Sequence, residues 1–220
     1  MRRLSLLFSL AASGLLSCAR DHRPAAKPGP DVQVRSGGEV LPSLEPPQVL
    51  AEDWNQWLLG EWETSAESDL GPFKNWVKGK GRMKVEQGIG GQFLLVKREG
   101  RVVELSEEYV QHLRQVQHAS PQEIEKLRTM SFEELEICTT DPHTGEIISY
   151  LFDSWRCVAK GTGRREGNKE TIQWEWSVGG RGTSVRVSER IGDARLVVTQ
   201  KYTLPGGGIM EDRVQMTRRK

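Results

Sequence analysis

From Trp54 onward the chain runs in short stretches of alternating apolar and polar positions, separated by glycine-bearing turns. Val77, Gly79, Gly81, Met83 and Val85 fall on one face of such a stretch, with Lys78, Lys80, Arg82 and Lys84 on the other. Ile172, Trp174, Trp176 and Val178 alternate in the same way with Gln173, Glu175 and Ser177. A period of two, one face apolar and the other wet, predicts half-buried antiparallel strands. Further strands are predicted at 57–65, 91–98, 134–140, 147–154, 157–165, 183–191, 194–203 and 210–218. The connections Asp141-Pro142-His143-Thr144-Gly145, Gly179-Gly180-Arg181-Gly182, Gly192-Asp193 and Pro205-Gly206-Gly207-Gly208 have hairpin-turn chemistry. About ten antiparallel strands in succession predict an all-β, up-and-down barrel over 51–220, because closure removes exposed strand edges.

One segment, about 105–130, breaks this period. Tyr109, Val110, Leu113 and Val116 follow helical spacing, and Ser120-Pro121-Gln122-Glu123 then opens a second helix. Ser120 is placed to cap it, Pro121 to occupy its first position and Glu123 to complete a capping box, with Ile124 and Leu127 as the apolar side. The expected unit is a helical hairpin inserted between two barrel strands, serving as a lid over one barrel end or as a docking surface for a partner. Gln111, Arg114, Gln115 and Gln117 give it a polar outer face, which favours the lid.

The chain's first fifty residues read differently. Arg2 and Arg3 precede a short apolar core from Leu4 to Leu16, the layout of an export signal and too short to span a bilayer as a helix. Leu15-Leu16-Ser17-Cys18 resembles a bacterial lipobox. That resemblance implies removal of residues 1–17, a diacylglycerol on Cys18, and durable anchoring, since each buried methylene contributes about 0.8 kcal/mol. Ala19 follows the cysteine, so in a host with two membranes the expected location is the outer membrane, facing the periplasm. Residues 19–50 hold six of the ten prolines and no Trp, Phe or Tyr, which makes 18–50 a tether rather than a packed unit. Its reach lies between roughly 30 Å as a coil and about 100 Å fully extended.

Charge excludes one class of partner. A formal +1, with 31 basic against 30 acidic residues, offers no footprint for nucleic acid, and loss of Arg2 and Arg3 leaves a mature chain near −1.

Three motifs, in order, resemble one family. Leu59-Gly60-Glu61-Trp62 is similar to the Gly-x-Trp that begins the barrel of lipocalin-like proteins. Gly90-Gly91-Gln92-Phe93-Leu94, then Asp141 to Gly145 with Phe152-Asp153-Ser154, resemble a lipocalin-like domain of unknown function common in exported bacterial proteins. The ending from Tyr202 to Arg218 matches in kind. The resemblance covers about 57–220, apart from an insertion at about 104–132 that the usual pattern lacks. It implies a lipocalin-like barrel of about ten strands and no agreed activity.

The residues give little support for catalysis, so the chain is expected not to be an enzyme. No Gly-x-Ser-x-Gly elbow is present, and Gly88-Ile89-Gly90-Gly91 precedes a strand rather than the helix a phosphate loop needs. Asp153 and Glu175 are isolated carboxylates, and His22, His112, His118 and His143 all lie off the predicted strands, so no metal or haem cofactor is expected. Cys138 and Cys157 lack metal-ligand spacing and are open to a disulfide or to two thiols. The remaining signal is aromatic. Trp76, Phe93, Trp174, Trp176 and Tyr202 are the candidate cavity residues, because buried indole N–H groups need partners and so suit a partly polar cavity. The expected function is to bind a small, mostly apolar ligand in the barrel. The alternative is an envelope interaction protein that docks a partner through the hairpin.

Overall fold

The computed structural model describes residues 49–177, 181–204 and 206–219. The lipobox, Cys18 and nearly all of the tether lie outside the described residues, as do Val178 and the centre of the 179–182 turn. Ten strands follow one another: β1 (Gly60–Leu70), β2 (Phe73–Gly88), β3 (Phe93–Leu105), β4 (Ser131–Thr140), β5 (Ile147–Asp153), β6 (Val158–Glu166), β7 (Lys169–Ser177), β8 (Arg181–Ile191), β9 (Arg195–Thr203) and β10 (Ile209–Arg218). Each pairs antiparallel with its neighbours in sequence, and β10 returns to β1, so the sheet closes as the expected lipocalin-like up-and-down barrel.

Register settles which side chains face inward. Trp62 pairs with Met83 and Arg218, Val96 with Val85 and Glu136, and Ile172 with Gly163 and Arg186. Side chains alternate across a sheet, so each such row shares one face. The predicted inward faces of β2 and β7 are therefore inward in the structure.

Helices pack near both barrel ends. At one end lies a short helix that the alternation did not predict, α1 (Asp53–Leu58), where the sequence reading began a strand at residue 57. Its Trp54 and Trp57 pack with Trp62, Leu94, Leu196 and Met216, and the Trp57 indole donates to the Asp193 carbonyl at 3.0 Å. Leu50, within the segment read as tether, is buried here, and its N–H donates to the Gly91 carbonyl at 3.0 Å. At the other end is the expected hairpin, α2 (Glu107–Gln115) and α3 (Pro121–Arg128). Ser120 and Glu123 form the full capping box, and Ser106 caps α2. Tyr109, Val110, Leu113, Ile124 and Leu127 are buried against the barrel, but Val116, expected on that apolar side, is 63% exposed at the end of α2.

Inward glycines make room for inward aromatic rings. Trp174 pairs across the sheet with Gly161, Trp176 with Gly182 and Phe132 with Gly100. A Cβ added at Gly161 would stand 2.8 Å from the Trp174 ring, and one at Gly182 2.2 Å from the Trp176 ring. The rings thus lie flat on the wall. Overfilling a packed core costs about 1–3 kcal/mol. Gly161→Val is accordingly expected to lower stability by about 2 kcal/mol in urea unfolding, despite the higher strand propensity of valine.

Candidate functional site

The lumen holds a belt of charge. On β4 the inward row contains Glu134, Glu136 and Cys138, while Leu135 and Ile137 face outward. On β8 Ser184, Arg186 and Ser188 face inward, and Val185 is 42% exposed outside. Arg98 of β3, Arg165 of β6 and Glu170 of β7 complete the belt.

At its centre is Glu136, only 1% exposed. It receives Arg186 in a two-pronged contact, Nη1 to Oε2 at 2.7 Å and Nη2 to Oε1 at 2.7 Å. Arg98 Nη2 donates to Oε2 at 2.7 Å, and the Ser149 hydroxyl donates to Oε1 at 2.8 Å. Burial alone would raise the Glu136 pKa, but Arg186 and Arg98 more than offset it and hold the carboxyl well below the usual range. Arg98 also binds Glu134, whose pKa is raised because burial outweighs that one arginine. Arg165 Nε donates to Glu170 Oε2 at 2.9 Å, and Glu170 Oε1 lies 3.9 Å from Arg186 Nη2. The chain of charges thus runs unbroken from Arg165 to Glu134. The Arg186 guanidinium also stands 5.0 Å over the Trp174 ring, a cation–π contact.

Beside the belt is a cavity of about 130 Å³. Met83, Val96 and Val198 line it towards α1, whose Trp54 and Leu58 form its floor; Val77, Val102 and Met130 line it beneath the hairpin. Tyr202, Asp212 and Gln200 add a second polar group: Asp212 accepts from the Ser68 hydroxyl at 2.5 Å and from Tyr202, whose pKa is raised by burial and by that carboxylate.

The structure separates the five predicted cavity residues. Tyr202 lines the cavity. Trp174 and Trp176 face inward but lie against Gly161 and Gly182 in a cluster with Ile147, Leu151 and Ile172, and neither borders the cavity. Trp76 lies on the opposite face of β2 from Val77, beneath the hairpin, with its ring 4.6 Å from that of Tyr109. Phe93 lies on the opposite face of β3 from the inward Leu94 and is half-buried. Of the five, Tyr202 alone borders this cavity, because the local strand pattern does not distinguish aromatic residues at the lumen from those packed on the wall or under a helix. The belt residues and Trp54 were missed. The available signal was register, counted inward from the Asp141–Gly145 turn, which sets the parity of β4.

The remaining candidates lie apart. Cys138 and Cys157 are both buried as thiols rather than joined in a disulfide. His112 packs on Phe73 with ring centres 4.8 Å apart, and no described histidine lines the cavity. Among the described residues no group of acids, cysteines and histidines is arranged to hold a metal. Glu175 faces outward. Asp153 ends β5 opposite Glu134, its Oδ1 accepting the N–H groups of Trp155 and Cys157, each at 2.8 Å. Burial pushes its pKa up to about 6 despite those bonds. A carboxyl raised in the folded state favours folding below its unfolded pKa, and that advantage fades as pH rises through the raised value. Asp153→Asn is therefore expected to gain stability relative to the parent protein between pH 4 and 7, and carbon-13 NMR should show the parent carboxyl titrating near pH 6.

No family model matches the chain, and no curated protein matches it. Among solved structures it is similar to the S-type phycobiliprotein lyase CPES from Guillardia theta, at 8% identity and a TM-score of 0.49, covering 76% of this chain and 91% of that one. It is also similar to EF1p2_mFAP2b bound to DFHBI, at 8% identity and a TM-score of 0.35, covering 74% and 95%. The strand pairing itself establishes what this chain is: a closed, ten-stranded, antiparallel barrel of lipocalin-like architecture with a helical hairpin inserted between its third and fourth strands.

Proposed function

We propose that this protein is an exported, lipid-anchored binding protein whose barrel lumen holds a small, mostly apolar molecule. The observation that carries this reading is the cavity of about 130 Å³ bounded by α1 at one end and by residues beneath the hairpin at the other. An engineered apolar cavity of about 150 Å³ takes up benzene, so the space suits a compact ligand. The hairpin buries Tyr109, Val110, Leu113, Ile124 and Leu127 on the barrel and leaves Gln111, Arg114 and Gln115 exposed, which supports its role as a cover.

Native mass spectrometry of the mature protein, released in mild detergent from its host's envelope, tests the binding role. A discrete mass excess lost on organic extraction is expected. A folded sample with only the mass of the acylated polypeptide overturns it. The anchor has its own test: Cys18→Ser should abolish incorporation of labelled fatty acid and release the protein from membranes. A variant that stays membrane-bound overturns the anchoring by Cys18.

A further inference from the structure

Two buried side-chain polar atoms of the cavity lining have no hydrogen-bond partner among the described residues, and both are donors. Trp54 is 6% exposed and Arg186 is 8% exposed, yet among the described residues the Trp54 Nε1–H and the Arg186 Nε–H have no hydrogen-bond partner. Arg165, beside them, gives its Nε–H to Glu170. All three side chains line the cavity. They are also neighbours: the Arg165 guanidinium stands 5.9 Å over the Trp54 ring, and Glu170 links it to Arg186. Indole and guanidinium nitrogens donate and do not accept, so whatever fills this corner must present acceptor oxygen. A buried donor left unsatisfied loses its hydration with nothing in return, and a suitable acceptor recovers that loss.

Charge narrows the acceptor further. In the belt Arg98, Arg165 and Arg186 stand against Glu134, Glu136 and Glu170, so no positive charge is left over. Elsewhere in the buried part of the wall Asp212 adds a negative one, while Lys80, Arg82, Glu99 and Arg101, which also border the cavity, are exposed to solvent. Bringing a further anion into this volume would bury it without a counter-charge, which is costly. Trp54 and Arg165 also line the surface crevice between α1 and the β6–β7 and β8–β9 turns, so the donors stand where the lumen meets the exterior.

We infer that the lumen selects a compact, uncharged molecule with a carbonyl-type oxygen, held beside α1 by Trp54, Arg165 and Arg186. This rests on the lumenal reading above and names the ligand class.

Four probes of nearly equal size separate the alternatives: acetophenone, ethylbenzene, 1-phenylethylamine and benzoate. They are titrated into the mature protein and followed by the indole N–H resonances of its tryptophans. Acetophenone is expected to bind at least tenfold tighter than ethylbenzene and to move the Trp54 indole proton downfield, which ethylbenzene does not. In Trp54→Phe, which keeps an aromatic floor, the preference for acetophenone should fall at least threefold. Equal binding of acetophenone and ethylbenzene overturns the acceptor claim while leaving lumenal binding in place. Tighter binding of 1-phenylethylamine overturns it too, since carboxylates would then be the recognising groups. Tighter binding of benzoate overturns the requirement for a neutral ligand. Failure of all four to bind overturns the ligand class and counts against the lumenal reading itself.

Discussion

Glu136→Gln is expected to lower the stability of the barrel by about 3–5 kcal/mol, the loss seen when one partner is removed from a buried ion pair. The amide keeps the shape but cannot neutralise Arg186 and Arg98, whose guanidinium groups both rest on this carboxylate within the lumen. Urea unfolding at pH 7 measures the effect, and a loss below about 1 kcal/mol would contradict a buried, charge-balanced belt. Acid provides a second readout. The Glu136 pKa is depressed in the fold, so its stabilisation is fully present above the ordinary carboxylate value of 4.5 and is lost as pH falls below it. The difference between parent and Glu136→Gln should therefore shrink in acid. Glu134→Gln is expected to cost less, because burial already raises the pKa of Glu134, which pairs with Arg98 and lacks the two-pronged contact of Arg186.

The second large effect is expected at the seam. Trp62→Ala should cost about 3–5 kcal/mol, the range for removing a large buried aromatic side chain. Trp62 has no exposed surface, and it pairs with Met83 on β2 and Arg218 on β10, so it spans the join between first and last strands. The Arg218 guanidinium stands 4.4 Å over its ring while donating to the carbonyls of Leu59 and Trp57. Its own indole donates to the Leu58 carbonyl at 2.9 Å, and the Trp57 ring lies 5.0 Å away. Removing it should therefore loosen α1 along with the seam. Hydrogen exchange should show the amides of residues 53–62 losing protection first, before the β4–β8 wall. Uniform loss across all strands would show that α1 does not depend on Trp62. Gly60, two residues earlier, adopts φ +112°, a conformation that L side chains rarely adopt, and a Cβ there would approach Arg218 Nη1 at 3.3 Å. The Gly-x-Trp pattern thus has a local physical meaning: the turn into the barrel and the residue that closes it.

The strands were legible because their side chains alternate and their turns carry glycine and proline; β2 and β7 are the clearest cases. The hairpin was legible because a capping box is a local device, needing only Ser120, Pro121 and Glu123 in succession. α1 was not, since six residues with two tryptophans carry no period and owe their conformation to the barrel end they cover. The sequence by itself thus determined a meander of half-buried strands, their order, and the helical interruption, all of which rest on spacings of a few residues. Only the tertiary structure decided what faces the lumen. On β8 the apolar row of Val185 and Val187 faces out and the row of Arg186 faces in, opposite to what hydrophobicity alone would choose. A shift of one residue exchanges the two faces of a strand, so inward parity is a property of register around the closed sheet. Arg186 can be buried because Glu136, fifty residues away, is brought opposite it within hydrogen-bonding distance.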